Sequence, residues 1–383
     1  ALPIYASITN LHFDEQSTGA APDSGPTIRT VLRPRGQAPI IKIVAVILNN
    51  AVEGNASDIH IENTGDKVKV RFRVDGVLHT SLVLPLTVYA GVVARIKILA
   101  KLRLDEKRKP QDGGFSAKIN MRKIDFRVSS MPSYYGEKIV MRILDTDKGV
   151  KTLDSIGLSP EHMAMIKAAL GKPYGLILVT GPTGSGKSTT IYSILNELDK
   201  EKANIVSLED PVEYHIPDIN QSQVMPEIGY TFASGLRSIL RQDPDVIMVG
   251  EIRDGETISL AINASLTGHL VLSTLHTNSA AAAVPRMTDM GAESFLIVST
   301  VKTIIAQRLV RRLCPSKEKY ILSEAEYSSL ANFVDMDRML GFLKAENIVK
   351  ESDTWKTIAF YRAKPDPENE DGFKGRVGIH EVL

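Results

Sequence analysis

Gly181-Pro182-Thr183-Gly184-Ser185-Gly186-Lys187-Ser188 is the stretch that decides the fold. It fits the spacing G-x-x-x-x-G-K-[ST] of a phosphate-binding P-loop. Gly175–Thr180 before it is short and apolar and reads as a buried strand. The run from Thr189 onward spaces its apolar residues as an amphipathic helix does. Strand, glycine loop and helix bring successive backbone N–H groups and a helix N-terminus to one point, where phosphate oxygens bind. The pattern assigns nucleotide binding to Gly181, Pro182, Thr183, Gly184, Ser185, Gly186, Lys187, Ser188 and Thr189. Lys187 is expected at the β/γ-phosphates of ATP and Ser188 at Mg²⁺.

Outward from the loop, strand and helix patterns alternate. Helices are expected over 160–170, 187–199, 231–241 and 255–267, and strands over 175–180, 204–208, 245–249 and 269–274. That order predicts an α/β domain with a mainly parallel sheet. Upstream, Lys67–Val74 alternates strictly, with Val68, Val70, Phe72 and Val74 on one face and Lys67, Lys69, Arg71 and Arg73 on the other. Further strands at 57–62, 115–121, 124–128 and 138–144, with helices over 39–52 and from Leu86 to about Leu102, give a smaller α+β domain. The division expected is an arm over 1–38, the α+β domain over 39–146, a linker over 147–153, and a P-loop domain over 154–383 carrying an insert over 315–371. The tail from about Lys317 reads as irregular.

A chain of 383 residues with net charge +1 argues against a polyelectrolyte that binds nucleic acid by bulk charge. The single cysteine, Cys314, excludes an internal disulfide. The most apolar stretch, Ile40–Leu48, contains Lys42 and is far shorter than the ~20 residues a membrane span needs. Ala1-Leu2-Pro3 opens no signal-peptide pattern.

Three more segments bear on chemistry. Asp245–Glu251 is an apolar strand ending in an acid, which suits a Walker B strand with Glu251 near Mg²⁺ and the γ-phosphate. Ser207–Tyr214 ends the preceding strand in Glu209, Asp210 and Glu213, at the sheet end where α/β folds bind ligands. On spacing alone it reads either as a site for orienting water or as a solvated turn. Thr267–Asn278 places His269 at the start of a strand and His276 past its end, where His276 can reach a γ-phosphate.

In this order, GPTGSGKST, SLEDPVEY, DVIMVGEIRD and TGHLVLSTLHTN resemble the secretion ATPase superfamily, the type II secretion and type IV pilus assembly ATPases. Asn55–Glu62, Arg73–Gly76, Pro110–Gly114 and Gly136–Arg142 extend the resemblance to residues 40–383. It implies a RecA-like P-loop domain, with ATP and Mg²⁺ bound between that domain and the α+β domain. It implies a homohexamer in which Arg127 and Arg142 complete the site. Glu209, Glu251, Arg127, Arg142 and His276 are the catalytic set so implied, with Ser188 and Glu251 at the metal, and which acid is the base stays open. The implied function is an ATP-driven motor for pilin or pseudopilin assembly. It would be cytoplasmic, held at the inner membrane by a platform protein and a cytoplasmic-domain recruiter, with no nucleic acid.

Alternatives are a retraction-type pilus ATPase and a non-hydrolysing nucleotide-gated scaffold. Gly136–Leu144 and the insert after Cys314 favour assembly over retraction. Many assembly ATPases of the family it resembles carry two Cys-x-x-Cys pairs. Here the first is Cys314-Pro315-Ser316-Lys317 and Lys364–Asp371 has no cysteine, so no zinc is expected. Residues 1–38 are shorter than the domain relatives carry there, and the chain stops just after Gly375–Glu381. A piece of a longer protein is therefore expected.

Overall fold

The computed structural model of the chain describes residues 38–145, 151–365, 367 and 371–383. The expected arm, apart from Ala38, and most of the expected linker lie outside the described residues.

The first part is built on a six-stranded antiparallel sheet. In chain order it runs α1 (Ala38–Glu53), β1 (Asp58–Asn63), β2 (Val68–Val74), β3 (Val77–Leu84), α2 (Leu86–Leu99), β4 (Gln111–Ile119), β5 (Arg122–Ser133) and β6 (Gly136–Asp145). The strand order is β3-β2-β1-β6-β5-β4. Ile59, Ile61, Val70, Phe126, Val128, Ile139 and Met141 are buried, and their alternation fixes the register, since a slip of one residue would turn them all to water. The opposite face aligns Arg73, Asp58, Arg142 and Arg127 in one cross-strand row. Between α2 and β6, the ammonium of Lys97 is 1% exposed and bonds Glu137 Oε1 at 2.7 Å and Glu106 O at 2.8 Å.

The second part alternates as the sequence predicts. It runs α3 (Pro160–Leu170), β7 (Gly175–Thr180), α4 (Lys187–Asn196), β8 (Ile205–Glu209), β9 (Asn220–Gln223), α5 (Phe232–Ile239), β10 (Val246–Val249), α6 (Gly255–Leu266), β11 (Leu270–Leu275), α7 (Ala283–Asp289), α8 (Ser294–Thr300) and β12 (Val301–Leu313). Side chains close the helix starts: Ser159 on α3, a Thr231–Ser234 capping box on α5, Asp254 on α6. The pairs β12–β7, β7–β11, β11–β10, β10–β8 and β8–β9 are all parallel. Leu176 and Leu178 enter one core and Ile177 and Val179 the other, so both faces of this sheet are covered. Helix α4 ends at Asn196, short of the expected 199, where Glu197 caps it.

Arg311–Arg376 form a compact unit of their own. The tail from about Lys317, expected to be irregular, is instead ordered into strands and helices. It holds β13 (Glu318–Tyr320), α9 (Glu324–Ala331), α10 (Met336–Ala345) and β14 (Phe360–Arg362), and β15 (Phe373–Val382) begins in it. The sequence hid them because the strands are three residues long and α9 carries few apolar positions. Trp355 stands at the centre, facing Tyr327 and Phe360 and donating to Met336 O at 3.2 Å, with Cys314 fully buried. No helix among the described residues is long and apolar enough to cross a membrane.

Candidate active site

The P-loop joins β7 to α4, at the end of the sheet where parallel strands deliver their C-termini. Gly181, Gly184 and Gly186 all have positive φ, which folds the backbone into a cup. A Cβ on Gly181 would lie 2.5 Å from Ser185 Oγ and 2.6 Å from Gln307 O, whereas around Gly184 nothing lies within 4 Å. The cup is thus closed beneath and open above, the shape a polyphosphate needs. Thr183, Gly184 and Ser188 are exposed, and Pro182 and Thr189 half-buried. Lys187 Nζ donates to Gly181 O at 3.0 Å and to Pro182 O at 3.1 Å. Burial pushes its ammonium below the ordinary lysine value, and the nearby Glu251 carboxylate opposes that shift.

Glu251 follows β10 and stays partly open. Its carboxylate bonds Arg253 Nη2 at 2.5 Å and faces His276 Nε2 at 3.5 Å. Three strand ends are pinned around it. Ser273 and Thr274 donate to the carbonyls of Val249 and Gly250, both at 2.7 Å, and the Thr180 and Thr277 hydroxyls meet at 2.6 Å. Lys187, Glu251 and His276 therefore converge, as their positions in the sequence suggest. His269 lies apart: its Nδ1 donates to Ala264 O at 2.9 Å and closes the turn after α6.

Glu209 is placed differently. It is 3% exposed, with Ser207 Oγ at 2.6 Å and Gln221 Nε2 at 3.1 Å on Oε1, and the Tyr192 hydroxyl on Oε2. Each oxygen has a donor within the protein, and the carboxylate is almost wholly enclosed. Arg127 donates to Val212 O at 2.6 Å and lies 3.5 Å from Glu213, and Arg142 lies 3.3 Å from Asp58. Their partners are thus the 210–215 loop and the sheet face, not the P-loop. A cavity of about 710 Å³ opens beside that loop, lined by Phe115, Asp125, Arg127, Glu213 and Tyr214 among others. It is not the phosphate cup.

Sequence reasoning missed Tyr192, Gln221, Arg253 and Gln307. Gln307 lies in β12, and its amide donates to Ser185 O at 2.6 Å beneath the P-loop. Arg253 stands in the GEIRD motif, which was a usable signal; the others carried none.

The family described as type II/IV secretion system protein matches residues 33–383 of the chain. The chain belongs to this family. Within the secretion family, it is 47% identical over 360 residues to the type II secretion system ATPase E of Vibrio cholerae serotype O1, covering 94% of this chain and 68% of that protein. It is 45% identical over 350 residues to the type IV pilus assembly ATPase PilB of Acinetobacter baylyi, covering 91% of this chain and 58% of that one. The pilus retraction motor PilT, solved with bound ADP, superposes with a TM-score of 0.55 at 29% identity, over 79% of this chain and 89% of that one. The seven-stranded sheet is accordingly the RecA-like core of a secretion-family ATPase.

The residues suit a nucleotide and the cation that accompanies its phosphates. An open glycine cup, a half-buried ammonium and oxygen donors from Ser188 and Glu251 fit a nucleotide polyphosphate and a hard cation such as Mg²⁺. Among the described residues no group of three or more His, Cys, Asp or Glu side chains gathers as a metal site without nucleotide.

Proposed function

We propose that Glu251 is the residue that activates water when this chain hydrolyses ATP. The chain is a secretion-family ATPase that powers filament assembly. The observation that carries the assignment is the convergence of Lys187, Glu251 and His276 at the open side of the cup, while Glu209 is enclosed. In this reading the P-loop amides and Lys187 hold the β- and γ-phosphates, and Ser188 and Glu251 hold Mg²⁺. The metal, when bound, neutralises phosphate charge. Glu251 accepts the proton of the attacking water, Arg253 keeps its carboxylate in place, and His276 lies within reach of the γ-phosphate. Arg127 and Arg142 stabilise the charge that develops, on the same chain or across a subunit boundary.

The same reading takes the active form as a homohexamer. It is cytoplasmic and held at the inner membrane by a platform protein and a cytoplasmic-domain recruiter, with no nucleic acid involved. The same reading also divides the chain into an arm over 1–38, an α+β domain over 39–146, a linker over 147–153 and a P-loop domain over 154–383 with an insert over 315–371.

The test is the Mg²⁺-dependent ATPase rate against protein concentration, for wild type and Glu251→Gln. The variant is expected to bind ATP as before and to lose about 10²–10⁴ in kcat, the range for a general base. Wild-type activity is expected to rise with assembly. An assembled wild type that binds ATP and turns over none would favour the scaffold reading instead.

A further inference from the structure

We propose that Tyr192 is a positioning residue for hydrolysis: with Glu209 it forms a buried peg that holds the loop 210–215, and through it Arg127, in register with the P-loop helix. The proposal rests on the ATPase reading above and assigns Glu209 to positioning, not to water activation.

Tyr192 lies on α4, which begins at Lys187, so it moves with the P-loop. It is 1% exposed. Its hydroxyl donates to Glu209 Oε2 and accepts the Glu213 N–H at 3.2 Å. Gln221 ties the same loop from the other side. Its Nε2 donates to Glu209 Oε1 at 3.1 Å and Tyr214 O at 2.9 Å, and its Oε1 accepts Ile216 N–H at 2.7 Å. The Tyr192 and Tyr214 rings meet edge to face at 5.8 Å. Every side-chain polar atom of Tyr192, Glu209 and Gln221 therefore has a partner.

On the outer side of this loop sits Arg127, donating to Val212 O at 2.6 Å with Glu213 Oε2 at 3.5 Å. Arg127 thus holds Val212 and Glu213, and the peg holds Glu213 from the other side together with Tyr214 and Ile216. A fully satisfied buried network has one preferred geometry, so a displacement of α4 is passed to the loop instead of being absorbed. Burial and the Glu209 charge both raise the Tyr192 phenol above its ordinary value, which keeps it protonated and a donor. A buried carboxylate that accepts from three side chains can fix a loop, and at 3% exposed it offers bulk water little access.

The experiment is a double-mutant cycle in the full chain, with Tyr192→Phe and Arg127→Ala alone and together. Nucleotide Kd and ATPase kcat are measured on each. Tyr192→Phe is expected to leave Kd within about threefold and lower kcat about tenfold, and the double variant to be no slower than Arg127→Ala alone. Gln221→Leu, which removes the peg from the opposite side, is expected to behave alike and serves if Tyr192→Phe does not fold. Losses that multiply in the double variants, or a kcat unchanged by either peg variant, overturn the proposal. Hydrogen exchange at 213–216 is measured in parallel without turnover. Tyr192→Phe is expected to speed it. A wild type that hydrolyses nothing while this exchange responds refutes the ATPase reading and leaves the peg standing; unchanged exchange refutes the peg.

Discussion

Replacing Gln307 with methionine removes the brace beneath the P-loop at almost constant volume. Gln307 is 4% exposed, and its Nε2 donates to Ser185 O at 2.6 Å. Its Oε1 is buried without a partner. Methionine takes away both atoms. Losing the donor strands the Ser185 carbonyl, a cost of about 1–3 kcal/mol. Losing the unpartnered oxygen returns about the same amount, because its desolvation is no longer needed. The two terms oppose each other, so global stability is expected to change by no more than about 1 kcal/mol. The loop itself loses a bond that fixes it in the phosphate-binding shape. A net bond of about 1 kcal/mol corresponds to about fivefold weaker nucleotide binding. Urea melts and titration of a fluorescent ATP analogue, in one buffer, measure both quantities. A Kd within twofold of wild type would refute the brace. So would a stability loss above about 3 kcal/mol, which would make Gln307 a general core residue.

Two further outcomes follow from buried charges elsewhere. Lys97→Met is expected to cost about 3–5 kcal/mol in a urea melt, because Glu137 is left buried without its cation. Lys97→Met combined with Glu137→Leu should recover most of that loss, and failure to do so would show that packing and not charge is at stake. His380 is held below the ordinary histidine value by burial first and by the charge of His162 second. Its folded pKa is depressed, so below about pH 6.5 the unfolded chain binds the extra proton and the folded chain does not. Stability is expected to fall as pH drops through that window. His380→Asn should flatten this part of the curve relative to wild type in thermal melts, although His60, also shifted down, leaves a residual slope. An identical slope in the variant would exclude His380 as the source.

The sequence by itself determined the chemistry class and the sheet that carries it. A P-loop is a local pattern, and its glycines, lysine and flanking strand and helix act within about 20 residues of one another. The buried parallel strands are equally local, since a run such as Val246–Val249 is apolar on both faces whatever lies beside it. Glu251 and His276 were legible because each follows such a strand directly. Only the tertiary structure decided what Glu209, Arg127 and Gln307 do. Glu209 stands at a strand end as Glu251 does, and nothing local distinguishes an acid enclosed by Tyr192, Ser207 and Gln221 from one open to water. Arg127 meets Val212 across 85 residues, and Gln307 meets Ser185 across 122. The strands β9, β12 and β15 escaped for a related reason, since β9 is polar and the other two begin or end outside the alternation that marks the core. Periodicity records which face of an element is buried. It does not record which distant atom will fill the last hydrogen bond, because that depends on how the elements are stacked in space.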